Sequence, residues 1–491
     1  MPPRSGPLSP PPELLARVFP WLFTGVLAWR LWLAVRFPFL GDEAYFLLWG
    51  RHPALGYYDH PPMLGWWLAP LAGLAEEPWL LRLPTVAVVA GVGWALFRWA
   101  RPRYGEGAAA GAALLLLLGP FYLVDVFVLT DTPLLLFAFL AGVLYQRGVE
   151  SGRRHEFLGA GIFLGLAFLS KYLAVLLGLA MLLHAVVDGR RRVWRGLAIV
   201  VAAALPFVVF HLWWNARHDW ATVLFNLVNR HAGEAERYTW RNVVICAATH
   251  LWFLGPAGLI FVLRRGRRLV ALARDRALAP FVFLALVPLG LLSLSSVVGP
   301  FGAYWVMPFY PFLYLLVPRL LAPREARWML AGTALFAVLH VAVFTWAVTR
   351  PVEAWRGRGF YDSLVMMEEP EAVAAAVLKA AGDRPLAAVA YSPASLLAWA
   401  TGGPVAVFGP GSHYARQDDF WTDWRALDGA DLAIFDKRPP HLLSIERYFD
   451  SVHVVEVPLA GVTYYVALCD GFRFDLYQEE VLKPIRETYY R

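Results

Sequence analysis

Apolar stretches of about 17–25 residues, the length a helix needs to cross the hydrocarbon core of a bilayer, recur along this chain from its start to about residue 349. They fall near 14–37, 79–100, 107–124, 132–149, 157–170, 172–187, 196–214, 242–263, 279–298, 304–321 and 327–349, and they predict about eleven transmembrane helices. Ser170-Lys171-Tyr172 splits the 155–188 region into two short helices. Segment 62–78 is too short to cross comfortably, and its paired Trp66 and Trp67 suit a helix lying at the membrane interface. Beyond about residue 350 the apolar runs shorten and alternate with polar positions. Strands are predicted at 386–391, 405–408, 432–435, 452–457 and 463–468, with helices at 393–401 and around 439–448, which together read as a small α/β domain.

The predicted organisation is therefore a Pro-rich, disordered segment 1–13, a polytopic α-helical membrane domain 14–349 with a first outer loop at 38–78, and an α/β domain 350–491. Composition agrees. Hydrophobic residues make up 59% of 491 positions and charged ones 16%, and the mean hydropathy is +0.51. Lipid is the solvent for most of such a chain.

The net charge of +7 would suit a nucleic-acid binder, but the basic residues are not distributed that way. Arg98, Arg101 and Arg103 form one cluster, and Arg147, Arg153 and Arg154 the next. Arg190, Arg191, Arg192 and Arg195 follow, then Arg264, Arg265, Arg267 and Arg268, then Arg319, Arg324 and Arg327. With eleven spans these clusters occupy alternate loops, which is the positive-inside pattern and places the N-terminus in the cytoplasm. Loop 38–78, the Asp125–Asp131 loop, Lys171, loop 215–241 and the α/β domain then lie outside. The basic excess sets orientation, and no nucleic-acid partner is expected. The first apolar segment is too long for a cleaved signal and lacks a small-residue cleavage site, so it is expected to stay as a span. Cys246 falls within a predicted span and Cys469 in the outer domain, so no disulfide is expected.

Gly41-Asp42-Glu43-Ala44-Tyr45, followed by Tyr57-Tyr58-Asp59-His60-Pro61-Pro62, crowds three carboxylates and a histidine into the first outer loop. Ionisable residues bordering spans are costly to keep, and function is the default hypothesis for them. Asp42 suits a general base that takes a proton from an acceptor hydroxyl; the plain alternative is that it caps a helix beginning near Ala44. His60 fits either a phosphate contact or a turn-stabilising role. Lys171 interrupts an apolar run at a helix junction, and with Arg82 and Arg36 it is one of few cations on the outer side, where an anionic phosphate needs a partner. Asp131-Thr132-Pro133 also reads as a helix start. Trp213-Trp214-Asn215-Ala216-Arg217-His218-Asp219-Trp220 suits an interfacial belt better than sugar stacking, and Arg230, His231 and Arg237 follow in the same loop. No nucleotide fingerprint and no metal-ligand spacing is present, so no cofactor or metal is expected.

In order, these motifs, with Leu81-Arg82-Leu83-Pro84, Thr130-Asp131-Thr132-Pro133-Leu134 and Ser170-Lys171-Tyr172 between them, resemble the C-type (GT-C fold) membrane glycosyltransferases. The likeness is to the family 39 and protein O-mannosyltransferase-like group, whose bacterial relatives include aminoarabinose and galacturonosyl transferases of lipid A and lipopolysaccharide. It covers about residues 14–349, and Ser412-His413-Tyr414-Ala415-Arg416-Gln417 resembles the tail of the same bacterial group. The resemblance implies transfer of a glycosyl group from a polyprenyl-phosphate sugar to a lipid A, glycan or protein acceptor on the outer face of the bacterial inner membrane, with inversion. Asp42 matches the family's catalytic acid and Glu43 its partner. Tyr58, Asp59, His60, Arg82, Asp131, Lys171 and Arg230 are the residues carried over, or read from the loops, as substrate contacts. His60 stands where the aminoarabinose transferases have a phosphate-binding lysine, and Tyr45 and Phe46 stand where they have an arginine. A polytopic lipid or solute transporter is the competing class, although no internal repeat is visible and the acids gather in outer loops.

Overall fold

The structure is a computed structural model that describes residues 12–73, 77–228, 240–409, 417–440 and 442–489. Most of the Pro-rich N-terminus, Arg230, His231, Arg237 and the 412–416 motif lie outside the described residues. The chain divides into two units. One comprises Met1–Val35, Trp79–His211 and Glu234–Ala347; the other comprises Arg36–Pro78, Leu212–Gly233 and Val348–Arg491. The first loop, 38–78, thus falls in the same unit as the C-terminal sheet.

The first unit is helical. Among the described residues, six helices are long and apolar enough to cross a membrane: Glu13–Arg36, Pro78–Tyr104, Asp131–Ser151, Arg191–Ala216, Trp240–Arg264 and Pro323–Val348. The other expected spans appear as shorter helices, Glu106–Leu117, Arg154–Ser170, Val175–Asp188, Ala279–Ser295 and Tyr310–Leu320. Local chemistry shortens them. The helix from Glu106 is followed by Gly119-Pro120, and Tyr310–Leu320 is preceded by a 3-10 stretch, Ala303–Phe309, that contains Pro308. Proline removes a backbone donor and crowds the preceding turn, which ends or kinks an α-helix. Trp240–Arg264 is kinked in the same way at Gly255-Pro256, where Gly255 takes φ 68°.

The arginine clusters meet at one end of this unit. Arg103 donates to Glu150 at 2.7 Å, Arg192 donates to the carbonyls of Val149 and Glu150, and Arg265 is paired with Glu325 at 2.6 Å. Arg268 donates to the Leu320 carbonyl at 3.3 Å, and Arg319 lies over the Tyr104 ring at 5.7 Å. Asp131 starts, and Lys171 directly follows, helices whose opposite ends carry these clusters, and Arg82 lies near the start of a third. At 1.5 Å per residue, this places all three roughly 25–30 Å away along the helix axes.

The second unit is built on a five-stranded sheet. Its strands are β1 Leu386–Ala388, β2 Ala406–Val407, β3 Leu432–Asp436, β4 Ser451–Leu459 and β5 Val462–Asp470, in the order β2-β1-β3-β5-β4. β1 pairs parallel to β2 and β3, while β5 pairs antiparallel to β3 and β4. β3 reads Leu-Ala-Ile-Phe and is buried on both faces, as a central strand should be. The edge strand β4 carries His453 and Glu456 among apolar residues, which discourages pairing with another chain. Ala460 (φ 49°) and Gly461 (φ 79°) make the tight turn between β4 and β5, a two-residue hairpin that requires positive φ at both positions. The five strands fall where the apolar alternation places them. Of the helix expected around 439–448, only the short turns Leu442–Ile445 and Glu446–Tyr448 form.

Three short helices of the same unit pack around the first loop: Gly41–Arg51, Met63–Ala72 and Tyr391–Thr401. Glycines let them approach. A Cβ at Gly41 would lie 1.7 Å from the Ser392 Oγ, and one at Gly50 would lie 2.8 Å from the Leu68 Cβ. Met63, Leu64, Gly65 and Leu68 are buried on the Met63–Ala72 helix, and the Trp66 indole donates to the Ala54 carbonyl at 2.8 Å.

Candidate functional site

The acidic motif of the first loop is a helix start. The helix begins at Gly41, with Leu40 in the extended N-cap position, so Asp42 lies inside the first turn and does not cap it. The capping function belongs to Glu43, whose carboxylate accepts from the Leu40 N–H at 3.2 Å. That is the reach-back half of a capping box. Two adjacent acids therefore have different situations: Glu43 is 1% exposed and holds the backbone, whereas Asp42 is exposed to solvent. Asp42 Oδ1 accepts from the Tyr391 hydroxyl at 2.7 Å. The positive end of the helix favours both carboxylates.

Tyr57-Tyr58-Asp59-His60 forms a tight loop, closed by the Tyr57 N–H donating to the His60 carbonyl at 3.1 Å. The Tyr57 ring stacks on Trp49 at 4.2 Å, its hydroxyl donates to the Trp49 carbonyl at 2.9 Å, and burial pushes its phenol up to about 12. The Tyr58 N–H donates to Gln417 Oε1 at 2.8 Å. From helix Ala221–Leu227, Thr222 donates to the Tyr57 carbonyl at 2.6 Å and Asn226 to the Asp59 carbonyl at 2.9 Å. Gly56 lies flat on the Trp214 indole, where a Cβ would come within 2.5 Å. His60 is half-buried with its ring 6.1 Å from Trp49, so the loop is anchored from three sides.

Tyr45 links the two halves of the motif. Burial raises its phenol well above the ordinary value, and the carboxylates of Asp59 and Asp418 add to the effect. The hydroxyl therefore stays protonated, donating to Asp59 over a long 3.5 Å and accepting from the Gln417 N–H at 3.2 Å. Tyr391, Thr222 and Asn226 are absent from the sequence-derived candidates, and Gln417 enters there only within the C-terminal motif. No local signal marks them, since Tyr391 is 349 positions from its partner. The Trp213–Trp220 segment is also sorted by the structure: Trp214 is buried and stacks on His218 at 4.1 Å, while Trp213 and Trp220 stay exposed.

In the helical unit, Lys171 sits in extended backbone between helices Arg154–Ser170 and Tyr172–Ala174. Its Nζ donates to Asp131 Oδ2 at 2.6 Å, with side chains 7% and 2% exposed, and lies 4.6 Å from the centre of the Tyr304 ring. An ammonium carries three protons, so the pairing with Asp131 does not exhaust its donors. Arg82 is buried and donates to the Ala34 carbonyl at 2.7 Å. Thr85, one turn along from Arg82, meets Thr132 at 3.1 Å, which ties its helix to the one that Asp131 begins. The structure thus brings Asp131 to Lys171, and Asp42, Glu43, Tyr58, Asp59 and His60 into one ordered loop cluster. Among the described residues, no group of three His, Cys, Asp or Glu stands close enough to hold a metal ion.

This is the fold of a polytopic C-type membrane glycosyltransferase. The crystal structure of ArnT from Cupriavidus metallidurans bound to undecaprenyl phosphate matches with a TM-score of 0.65 at 16% identity, covering 91% of this chain and 97% of that one. Its apo form matches with a TM-score of 0.62 at 17% identity, covering 92% and 98%. In sequence, residues 59–214 match the family described as dolichyl-phosphate-mannose-protein mannosyltransferase. The lipid A galacturonosyltransferase RgtD of Rhizobium johnstonii is 30% identical over 299 residues, which cover 58% of this chain and 62% of RgtD. The alignment thus spans less than two thirds of that relative's length.

Proposed function

We propose that this protein transfers a glycosyl group from a polyprenyl-phosphate-linked sugar to lipid A or a related glycan acceptor at the outer face of the inner membrane. The observation that carries this reading is Asp42, an exposed carboxylate on a helix start that burial and capping hold in place, in a chain with this fold. In the proposed reaction, Asp42 takes the proton of the acceptor hydroxyl. The acceptor oxygen bonds to the anomeric carbon as the bond to the phosphate oxygen breaks, and the configuration inverts. Polyprenyl phosphate leaves as a stabilised anion, so no general acid is required. Glu43 positions the turn that carries Asp42. Lys171, Arg82 and His60 are assigned to the donor phosphate, with Tyr58, Asp59, Asp131 and Arg230 as supporting substrate contacts.

The end of the helical unit that gathers the arginines is assigned to the cytoplasm, following the positive-inside rule. Cysteines placed at Leu55 and Asp383 should then label from outside, and one at Gly266 only after permeabilisation. Labelling of Leu55 and Gly266 from the same side would reverse the assignment. The activity is tested by incubating purified protein with labelled polyprenyl-phosphate sugars and a membrane-lipid extract, and by following label into the extract. A galacturonosyl donor is the first choice because of the RgtD likeness. Flux of label across proteoliposomes without covalent transfer would favour a transporter instead.

A further inference from the structure

A cleft of about 250 Å³ opens at the arginine-rich end of the helical unit, away from every residue assigned above. Its walls come from the end of helix Val175–Asp188 and the turn that precedes helix Ala279–Ser295, and they include His184, Val187, Asp188, Arg190, Arg274 and Arg276. Asp188 is held by Arg190 in a two-pronged pair at 2.7 and 2.6 Å. Among the described residues no carboxylate forms an ion pair with Arg274 or Arg276. The cleft is left with two positive charges beyond neutrality. The turn that carries them is ordered: the Asp275 carboxylate accepts the Ala277 N–H at 2.9 Å, and Gln146 donates to the Ala277 carbonyl at 3.1 Å.

The floor holds a second, independent feature. His184 is 1% exposed, and its Nε2 is buried with no hydrogen-bond partner in the described structure. The other ring nitrogen, Nδ1, is 2.9 Å from the Tyr145 hydroxyl, which also lies 3.1 Å from the Met181 carbonyl. If Tyr145 donates to Nδ1, a neutral imidazole carries its proton on Nε2; if the ring is charged, Nδ1–H donates to Tyr145, which turns its proton to Met181. In both arrangements Nε2–H is a donor without an acceptor. In the third, a neutral ring protonated on Nδ1 donates to Tyr145 while Tyr145 donates to Met181, Nε2 carries only a lone pair, and an anion in the cleft selects against that tautomer. A buried donor without an acceptor costs free energy, and an anion in the cleft removes the cost. Val187, 64% exposed, gives the cleft an apolar lip on the helix surface. A freely dissolved anion gains nothing from such a lip, whereas an acyl chain does.

We propose that this cleft binds the phosphate of an anionic phospholipid, with Arg274 and Arg276 on the phosphate oxygens, His184 Nε2–H donating from the floor, and a chain running over Val187. Basic pockets between transmembrane helices recognise lipid headgroups by this chemistry. The test uses the full-length protein, delipidated in neutral detergent and titrated separately with phosphatidylglycerol, phosphatidylethanolamine and inorganic phosphate by native mass spectrometry. Phosphatidylglycerol should bind at least about tenfold more tightly than phosphatidylethanolamine, and an Arg274→Gln/Arg276→Gln variant should lose about tenfold of that affinity. His184→Phe should weaken it, and His184→Gln, which retains an N–H, should recover part of the loss. The two arginines are exposed, so their variant carries the test even if a change at His184 disturbs folding. Equal binding of the two lipids, or wild-type binding by the double variant, overturns the proposal. Displacement of phosphatidylglycerol by an equal concentration of inorganic phosphate would assign the cleft to a free anion, and would overturn the lipid reading.

Discussion

Asp42 and Asp131 each stand in the first turn of a helix, yet their surroundings are opposite. Asp42 is exposed and takes one hydrogen bond, at 2.7 Å, from a neutral phenol. Asp131 is buried and is matched by the Lys171 ammonium at 2.6 Å. A carboxylate that accepts a proton from a substrate must be reachable and must not already be neutralised. A buried, paired carboxylate instead organises the elements around it, because the low dielectric makes either charge expensive without the other. The contrast supports the proposed role of Asp42 as the base, and it gives Asp131, proposed as a supporting substrate contact, the further task of positioning Lys171.

The largest effect expected from this contrast is on rate. Asp42→Asn keeps an oxygen for the Tyr391 hydroxyl but removes the base, and transfer should fall by about 10²–10⁴, with an unchanged melting temperature. Full transfer activity in this variant would return Asp42 to a structural role. Next is Lys171→Ala, which strands the Asp131 charge in a buried site and should cost about 3–5 kcal/mol of stability. Replacing both members, as Asp131→Leu with Lys171→Met, should restore the melting temperature, since apolar isosteres often match a buried pair. Donor titration then separates the roles. Affinity that stays at least about tenfold low in the double variant assigns Lys171 to the phosphate, and wild-type affinity makes the pair purely architectural.

The remaining two predictions concern the contact that holds Asp42. A methyl group at Gly41 would fall 1.7 Å from the Ser392 Oγ, so Gly41→Ala should cost about 1–3 kcal/mol by overpacking. Adding Ser392→Gly should relieve most of that in a thermal unfolding experiment; no recovery would mean that the two helices do not meet there. The smallest effect belongs to Tyr391→Phe. It removes one hydrogen bond to an exposed carboxylate, worth about 1 kcal/mol, and kcat/KM should drop several-fold with little change in stability. A loss as large as that of Asp42→Asn would make Tyr391 part of the chemistry.

What the amino-acid order determines by itself is whatever depends on neighbours along the chain. The apolar segments, the break at Lys171, the five strands and the spacing of the arginine clusters are of this kind, because solvent preference and backbone restriction act over a few residues. The breaks at Gly119-Pro120 and Gly255-Pro256 fall inside segments that read as continuous spans. The acids of the first loop were visible as a motif because they, too, are neighbours along the chain. Their separate roles were not. Whether Asp42 or Glu43 turns inward depends on where the helix starts and on Gly41 meeting Ser392; the partners Tyr391, Gln417, Thr222 and Asn226 lie more than 160 positions away from the residues they hold. The pairing of Lys171 with Asp131, across 40 positions, was equally hidden. Burial and long-range hydrogen bonds are properties of the packed chain, so only the tertiary structure decided which acid stays in water and which is locked to a cation.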